Sequence, residues 1–499
     1  MLAQGLSFLA KPYFALIHNQ FTQALRHPQI AQAQVKTKIL KNLTQTAYGS
    51  TLKVKTLDDW SQLPIVTYDT LEPWINQQYQ YPSKSILTPE KINFWEFTSG
   101  STGPKKSIPY TPSLRNSFSA MYCIWVYDLM CHAHFSSYKS YLCISPQIGD
   151  TIQGIDDTAY LNPSLQWLVD QFLIRAPGPF PTVEAFRFGL AIALLQAPDL
   201  EVFSLWSPSF LTTQLYFMQG HQEELRRVLH NRISRTRWQL LGEPEIAWNQ
   251  MWPHLKLISC WDRQYAADQA MVLKQSFPDV LVQGKGLLAT EAPMTIPLIE
   301  AQGFVPLVNQ VVFEFLDDQD QIHDLTQLQL GNVYELVISQ LGGLYRYRMG
   351  DRVTVSHWYL DTPCLDFRGR GDGVSDLVGE KLTIEFVTQC FNHLGYLQWG
   401  LACLVPLSNS PPHYCLLLEA SPLTKDRITS ELETALQTNF HYRKARQLGQ
   451  LGPVGVIVDR QVPKWLQDNK RLGDCKYPVL RTQPLELDTA LNFKGNILD

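Results

Sequence analysis

Between Ala31 and Leu43, glutamine, alanine and leucine recur without glycine or proline. Similar composition over roughly residues 1–90 predicts a mainly helical opening segment that ends at Pro64 and Pro73. The pattern changes at Ile92–Phe97, where aromatic and β-branched residues predict a short strand that empties directly into a Ser/Thr/Gly loop. A loop hung on a strand end is well placed for chemistry. Helical spacing returns over Leu211–Trp238, whose arginines Arg226, Arg227, Arg232, Arg235 and Arg237 are expected to form a solvated face. Strand-like runs recur at Leu281–Gln283, Val311–Leu316 and Val333–Ser339. Strands mixed with helices predict an α/β body.

Past Phe367 the style changes. A glycine-rich stretch, Arg368–Gly373, precedes predicted strands at Gln398–Val405, Tyr414–Glu419 and Val454–Val458, with a helix at Leu423–Phe440 and Ser421 near its start. The expected organisation is therefore a large N-terminal domain, residues 1–368, with mixed sheets and helices, and a small mobile α+β domain, residues 369–499. Gly369, Gly371 and Gly373 supply the backbone freedom of a hinge near 369–373.

At 499 residues the chain exceeds what one core usually organises, which agrees with two units. With 45% hydrophobic and 18% charged residues and a net charge of −4, nothing suggests disorder or a nucleic-acid footprint, so any phosphate site must be local. The nine cysteines are scattered and never form CxxC, which argues against a disulfide framework and a zinc knuckle and points to buried thiols in a reducing compartment. Met1–Phe14 lacks the features of a secretory leader, and Phe188–Leu195 is far shorter than the roughly 20 residues of a membrane span. A cytoplasmic, membrane-free monomer is expected.

The loop Thr98-Ser99-Gly100-Ser101-Thr102-Gly103-Pro104-Lys105-Lys106 carries everything a polyphosphate site requires. Its glycines let the backbone approach an anion, its hydroxyls donate to phosphate oxygens, and its lysines add positive charge. The pattern GxxxxGK[ST] fails, because five residues past Gly100 stands Lys105, so a P-loop kinase or ATPase is disfavoured.

This loop resembles the TSGTTGxPK signature of the adenylate-forming superfamily of acyl-CoA synthetases, luciferases and peptide-synthetase adenylation domains, with Lys106 at the signature lysine. The resemblance continues in order through Ala289-Thr290-Glu291, Tyr347-Arg348-Met349-Gly350-Asp351, and Gly369-Arg370-Gly371-Asp372 followed by Gly379-Glu380-Lys381-Leu382. Gly343-Leu344-Tyr345-Arg346-Tyr347-Arg348-Met349-Gly350-Asp351 is similar almost letter for letter to the GLYRYRxGD of one branch, the auxin-responsive acyl acid amido synthetases. Leu205–Leu211, Ile258–Tyr265 and Gly473–Pro478 also look like that branch, so the likeness spans roughly residues 90–481. One departure is Leu287, where the family's motif normally begins with an aromatic residue.

The resemblance implies ATP and Mg²⁺ as cofactors, and an acyl acid and an amino acid as small-molecule partners. It implies that Ser99, Gly100, Ser101, Thr102, Gly103 and Lys106 hold the phosphates, that Thr290 donates to the α-phosphate, and that Glu291 binds the metal. Tyr347, Asp351 and Arg370 would contact the nucleoside. Lys476 would swing in from the small domain to stabilise adenylation, with Lys494 as the alternative. On periodicity alone, Tyr345 and Tyr347 would share one strand face and Arg346 and Arg348 the other. The acid pocket is expected among Met121–Tyr127, Trp206–Phe210 and Cys260–Tyr265. Two alternatives stay open at this level: a thioester ligase using the same adenylate, and a nucleotide-binding homologue without turnover.

Overall fold

The opening helices are α1 (Leu2–Arg26), α2 (Pro28–Leu43), the short α3 (Ala47–Leu52) and α4 (Tyr68–Gln80). In α2, Pro28 occupies the first turn, where its missing N–H costs nothing, and Ala31, Val35, Ile39 and Leu43 recur at i, i+4 to form the buried stripe. Gln32 lies in that stripe and is fully used: its amide donates to the carbonyls of Val308 and Val311 at 2.7 and 2.8 Å and accepts from Phe313 N at 2.8 Å. Pro73 sits inside α4 rather than ending the helical segment. Burial of Leu71 and Ile75 on either side holds the helix through the lost hydrogen bond.

The computed structural model describes residues 2–52, 54–97, 106–142, 157–176, 178–206, 208–263, 266–370, 373–375, 377, 380, 382–407, 411–447, 451–460, 462, 466 and 477–482. They fall into two compact units, one within 1–98 and 105–368, the other within 369–499.

In the first unit, β1 (Phe94–Phe97) and β2 (Ser107–Tyr110) pair antiparallel. Helix α5 (Pro112–His132) follows, with the Thr111 hydroxyl accepting from Leu114 N and Pro112 in the first turn. Strands β3 (Ser140–Leu142), β4 (Val202–Ser204), β5 (Leu257–Cys260) and β6 (Leu281–Gly284) form a parallel sheet in chain order. Glu201, buried at the amino end of β4, accepts from the backbone N–H groups of Ser136, Ser137 and Tyr138 at 2.7, 3.0 and 2.7 Å. That carboxylate fixes how the chain approaches β3.

After β6 come a hairpin, β7 (Leu288–Ala289) with β8 (Ala292–Pro293), and a second pair, β9 (Thr295–Leu298) with β10 (Gly303–Pro306). Five antiparallel strands complete the unit in the order β12-β11-β13-β14-β15: β11 (Val312–Leu316), β12 (Ile322–His323), β13 (Val333–Gln340), β14 (Leu344–Tyr359) and β15 (Thr362–Arg370). The expected Leu211–Trp238 helix is instead three: Pro208–Gly220, Gln222–Leu229 and Arg235–Leu240. Its arginines divide accordingly. Arg227, Arg232 and Arg235 are exposed, but Arg226 lies 3.8 Å over the Trp238 ring, and buried Arg237 donates to the Met251 carbonyl at 3.0 Å.

The second unit contains β16 (Val374–Ser375) paired with β17 (Leu382–Thr383), and the sheet β18 (Ala402–Leu407), β19 (His413–Leu418), β20 (Gly455–Val458). The helix expected over Leu423–Phe440 runs from Lys425 to Leu436 with Thr424 at its N-cap. A separate helix, Phe440–Gln447, restarts after it, where Asn439 Oδ1 accepts from Tyr442 N at 3.0 Å. Among the described residues, Cys123, Cys260, Cys364, Cys390, Cys403 and Cys415 are buried free thiols and Cys131 is exposed. No helix among them is long and apolar enough to cross a membrane.

Candidate active site

The site is organised by β14. Two residues of that strand, Tyr345 and Arg346, stand opposite Ser339 of β13 between the register pairs Gln340–Leu344 and Ile338–Tyr347. A bulge of this kind re-aims side chains, and Arg346 takes the left-handed φ of 45° within it. The simple alternation of tyrosines and arginines is therefore broken, because the extra residue shifts the pleat. Arg346 turns inward, 2% exposed, and pairs bidentately with Glu314: Nε to Oε2 and Nη2 to Oε1, both 2.9 Å. It also donates to the carbonyls of Ser61 and Leu63, while Trp60 Nε1 donates to Glu314 at 3.2 Å. Arg348 pairs with Glu335 at 2.7 Å. Both arginines are structural.

Tyr345 donates to the Leu87 carbonyl at 2.7 Å, and burial pushes its phenol well above the ordinary range. Tyr347 turns elsewhere. Its hydroxyl lies 3.4 Å from Lys106 Nζ, which also stands 5.5 Å from the centre of the Tyr68 ring. Lys106 reaches this point because it precedes β2, whose first residue donates its N–H to the Tyr68 hydroxyl at 2.8 Å. A parallel bridge between Val66 and Tyr347 locks that segment to β14.

Thr290 and Glu291 form the two-residue turn between β7 and β8. The Tyr110 hydroxyl donates to the Thr290 carbonyl at 2.9 Å, tying the turn to β2. Glu291 is 5% exposed and Asp351 7%. Asp351 follows Gly350, whose φ of 76° lets the strand bend there. Leu287 is buried in the main core, with its N–H on Thr295 Oγ1 at 2.7 Å.

Beside the β7–β8 hairpin lies a cavity of about 130 Å³. Met121, Tyr122 and Trp125 of α5 line it, together with Trp206, Leu288 and Tyr160. Tyr160 stacks on Tyr110 at 5.0 Å, which links the cavity wall to the Thr290 turn. The α5 and Trp206 contributions are those expected. From the Cys260 region, however, it is Ser259 that lines the cavity, while Cys260 is fully buried with its thiol pushed up to about 12 by burial. That thiol is a core residue and not a nucleophile.

The structure thus joins Lys106 to Tyr347 and ties Thr290 into the same neighbourhood. Arg370 ends β15, its side chain lying outside the described residues. Ser99, Gly100, Ser101, Thr102, Gly103 and Lys476 also lie outside them. Residues unforeseen from sequence are Tyr68, Tyr110, Ser204, Ser259 and Lys285. Ser259 lies within the family-like passage Ile258–Tyr265, and Lys285 stands out as a lone cation flanked by Gly284 and Gly286 after an apolar strand.

Residues 17–281 match the GH3 family N-terminal domain, 304–370 its central domain and 386–480 its C-terminal domain. The chain is 27% identical over 189 residues to the probable indole-3-acetic acid-amido synthetase GH3.7 of Oryza sativa subsp. japonica, covering 30% of each chain. It spans about a third of the length of the first curated relatives it matches. The solved GH3.15 acyl acid amido synthetase in complex with 2,4-DB superposes with a TM-score of 0.79 at 19% identity, covering 97% of this chain and 96% of that one. A 2-hydroxyisobutyryl-CoA ligase in complex with 2-HIB-AMP superposes at 0.54 with 13% identity, covering 96% and 91%. The fold is that of adenylate-forming ligases.

Proposed function

Because the chain belongs to the GH3 family, we propose that it activates a carboxylic acid with ATP as an acyl-adenylate and transfers the acyl group to an amino acid. The observation that carries this reading is the meeting of three features in one unit: an acid-sized aromatic cavity, the Thr290–Glu291 turn beside it, and Lys106 on Tyr347.

In the first step a carboxylate oxygen attacks the α-phosphorus, the bond to the β-phosphate breaks and pyrophosphate leaves. The two reactants repel, so neutralising their charge is the main catalytic task. Lys106 supplies one cation, steered by the Tyr347 hydroxyl and the Tyr68 ring. The loop Ser99–Gly103 holds the phosphates, Thr290 meets the α-phosphate, and Tyr347, Asp351 and Arg370 hold the nucleoside. Mg²⁺ held mostly by phosphate oxygens and water needs only one or two protein carboxylates, and Glu291, an acceptor-only group on a tight turn, fits that requirement. When bound, the ion offsets the charge of the leaving pyrophosphate.

In the second step the amine nitrogen attacks the acyl carbon, the bond to AMP breaks, and the nitrogen loses a proton. Residues 369–499, turning about 369–373 and carrying Lys476, exchange the adenylation arrangement for the acceptor arrangement. Amide formation is favoured over thioester formation by the Gly343–Asp351 passage and by the amido synthetases among the relatives.

The test is pyrophosphate release from ATP and Mg²⁺ with a panel of aromatic and oxylipin-like acids, followed by amino acids or coenzyme A. An N-acyl amino acid identified by mass supports the reading. A thioester overturns its second half, and no pyrophosphate with any acid overturns it altogether.

A further inference from the structure

The carboxyl edge of the parallel sheet carries an unusual row. Leu142, Ser204, Ser259 and Gln283 are register partners across β3, β4, β5 and β6, so their side chains share one sheet face. That face looks towards α5, where Trp125 Nε1 donates to Gln283 Oε1 at 2.9 Å. A face packed against an apolar helix is expected to be apolar, yet three of these four residues are polar.

Lys285 stands two residues beyond Gln283, and its ammonium lies on Ser204 Oγ at 2.7 Å, two strands away. The side chain therefore crosses over β5 and covers the strand ends. Its ammonium is 5.4 Å from the centre of the Trp206 ring, which packs on Trp261 at 5.6 Å. Lys285 is the one charged side chain among the described residues that line the cavity. Ser204 and Ser259 border the same space.

On the reading that the acid is activated at Thr290, its reacting end lies at the tip of the β7–β8 hairpin. Thr290 is at the tip of the hairpin, whereas Lys285 precedes its base at Leu287, where Met294 and Thr295 first pair. Three extended residues separate base from tip, roughly 10 Å. An acid that reacts at the tip and extends into this cavity would have its opposite end beside Lys285, which lines it.

We propose that Lys285, with Ser204 and Ser259, forms an acceptor-reading floor that selects acids bearing a second oxygen acceptor, hydroxyl or carboxylate, remote from the reacting carboxylate. This rests on the reading that acid activation occurs at Thr290. A cation held on a hydroxyl over an aromatic ring is a directed donor, and covering it with an apolar substituent costs more than covering it with an oxygen acceptor.

The test compares benzene-1,4-dicarboxylate and 4-hydroxybenzoate with 4-methylbenzoate, which fills the same length without an acceptor. Binding by calorimetry without ATP and pyrophosphate release with ATP are both measured. The unaltered protein is expected to favour the acceptor-bearing acids by about 10- to 100-fold. Lys285→Met is expected to bring that ratio to within about threefold of one, and Lys285→Arg to retain most of it. Ser204→Ala, a smaller change at the same floor, is expected to lower the ratio part of the way. Equal losses for all three acids in Lys285→Met would mean that Lys285 holds the reacting carboxylate, and no preference in the unaltered protein would mean that no acceptor is read. Either overturns the proposal. Selective binding without pyrophosphate would overturn the proposed activity and leave the floor standing; pyrophosphate release without selectivity would do the reverse.

Discussion

The two ends of the four-stranded parallel sheet both carry a charged side chain, and the two are used differently. At the amino end Glu201 is buried and enclosed by the three N–H groups of residues 136–138. At the carboxyl end Lys285 spans the strand ends and faces a cavity. The same division recurs within two adjacent residues of β14, where Arg346 enters the core to meet Glu314 and Tyr347 meets Lys106. A charge whose surroundings are all protein backbone or a protein counter-charge holds the scaffold. One that also borders a cavity stands where a ligand can approach it.

Substitutions can break that contrast. Arg346→Ala leaves the Glu314 carboxylate buried without its guanidinium and is expected to cost about 3–5 kcal/mol of stability, read from urea unfolding. Little difference between acids should appear in whatever folded protein remains. Lys106→Ala is expected to do the opposite, lowering adenylation about 10²- to 10³-fold while the unfolding midpoint hardly moves. Unchanged turnover would overturn the phosphate role proposed for Lys106. Glu201→Ala strands three backbone donors and is expected to cost about 1–3 kcal/mol, with acid preference unaltered. A changed preference would show that the two sheet ends are coupled.

The smallest effect concerns pH. In the second unit, burial raises the Glu433 carboxyl, but hydrogen bonds from Val454 N, Arg446 and Gln437 outweigh it and hold the group below its ordinary value of 4.5. A depressed carboxyl contributes stability above its unfolded-state value and loses it as pH falls through the folded-state value. The stability of the intact chain, read from unfolding followed by a probe in residues 369–499, should fall on acidification below about 4.5, and Glu433→Gln should flatten that dependence. An unchanged profile would show that Glu433 does not govern it.

Elements with strong local patterns were legible in sequence. Ala31–Leu43 reads as helix through its glutamine, alanine and leucine content, and Ile92–Phe97, Leu281–Gln283 and Val311–Leu316 read as strands that the structure sets at Phe94–Phe97, Leu281–Gly284 and Val312–Leu316. The break in Leu211–Trp238 was hidden, because apolar and arginine spacing continues across three short helices. So was the fate of Arg237, since nothing local distinguishes it from the exposed Arg235.

Order along the chain was enough to liken the segments holding Lys106, Thr290, Glu291, Tyr347 and Asp351 to the motifs of one family, because each short motif carries its own signature. What folding decided is which of their neighbours meet. The β14 bulge, set by pairing with β13, sent Arg346 inward and Tyr347 to Lys106 against the simple alternation. The row from Ser204 to Gln283 exists only through sheet register, which joins residues dozens of positions apart. Local sequence specifies the backbone conformations a segment prefers; long-range pairing, which no short window contains, determines which side chains share a face and which of them border a cavity.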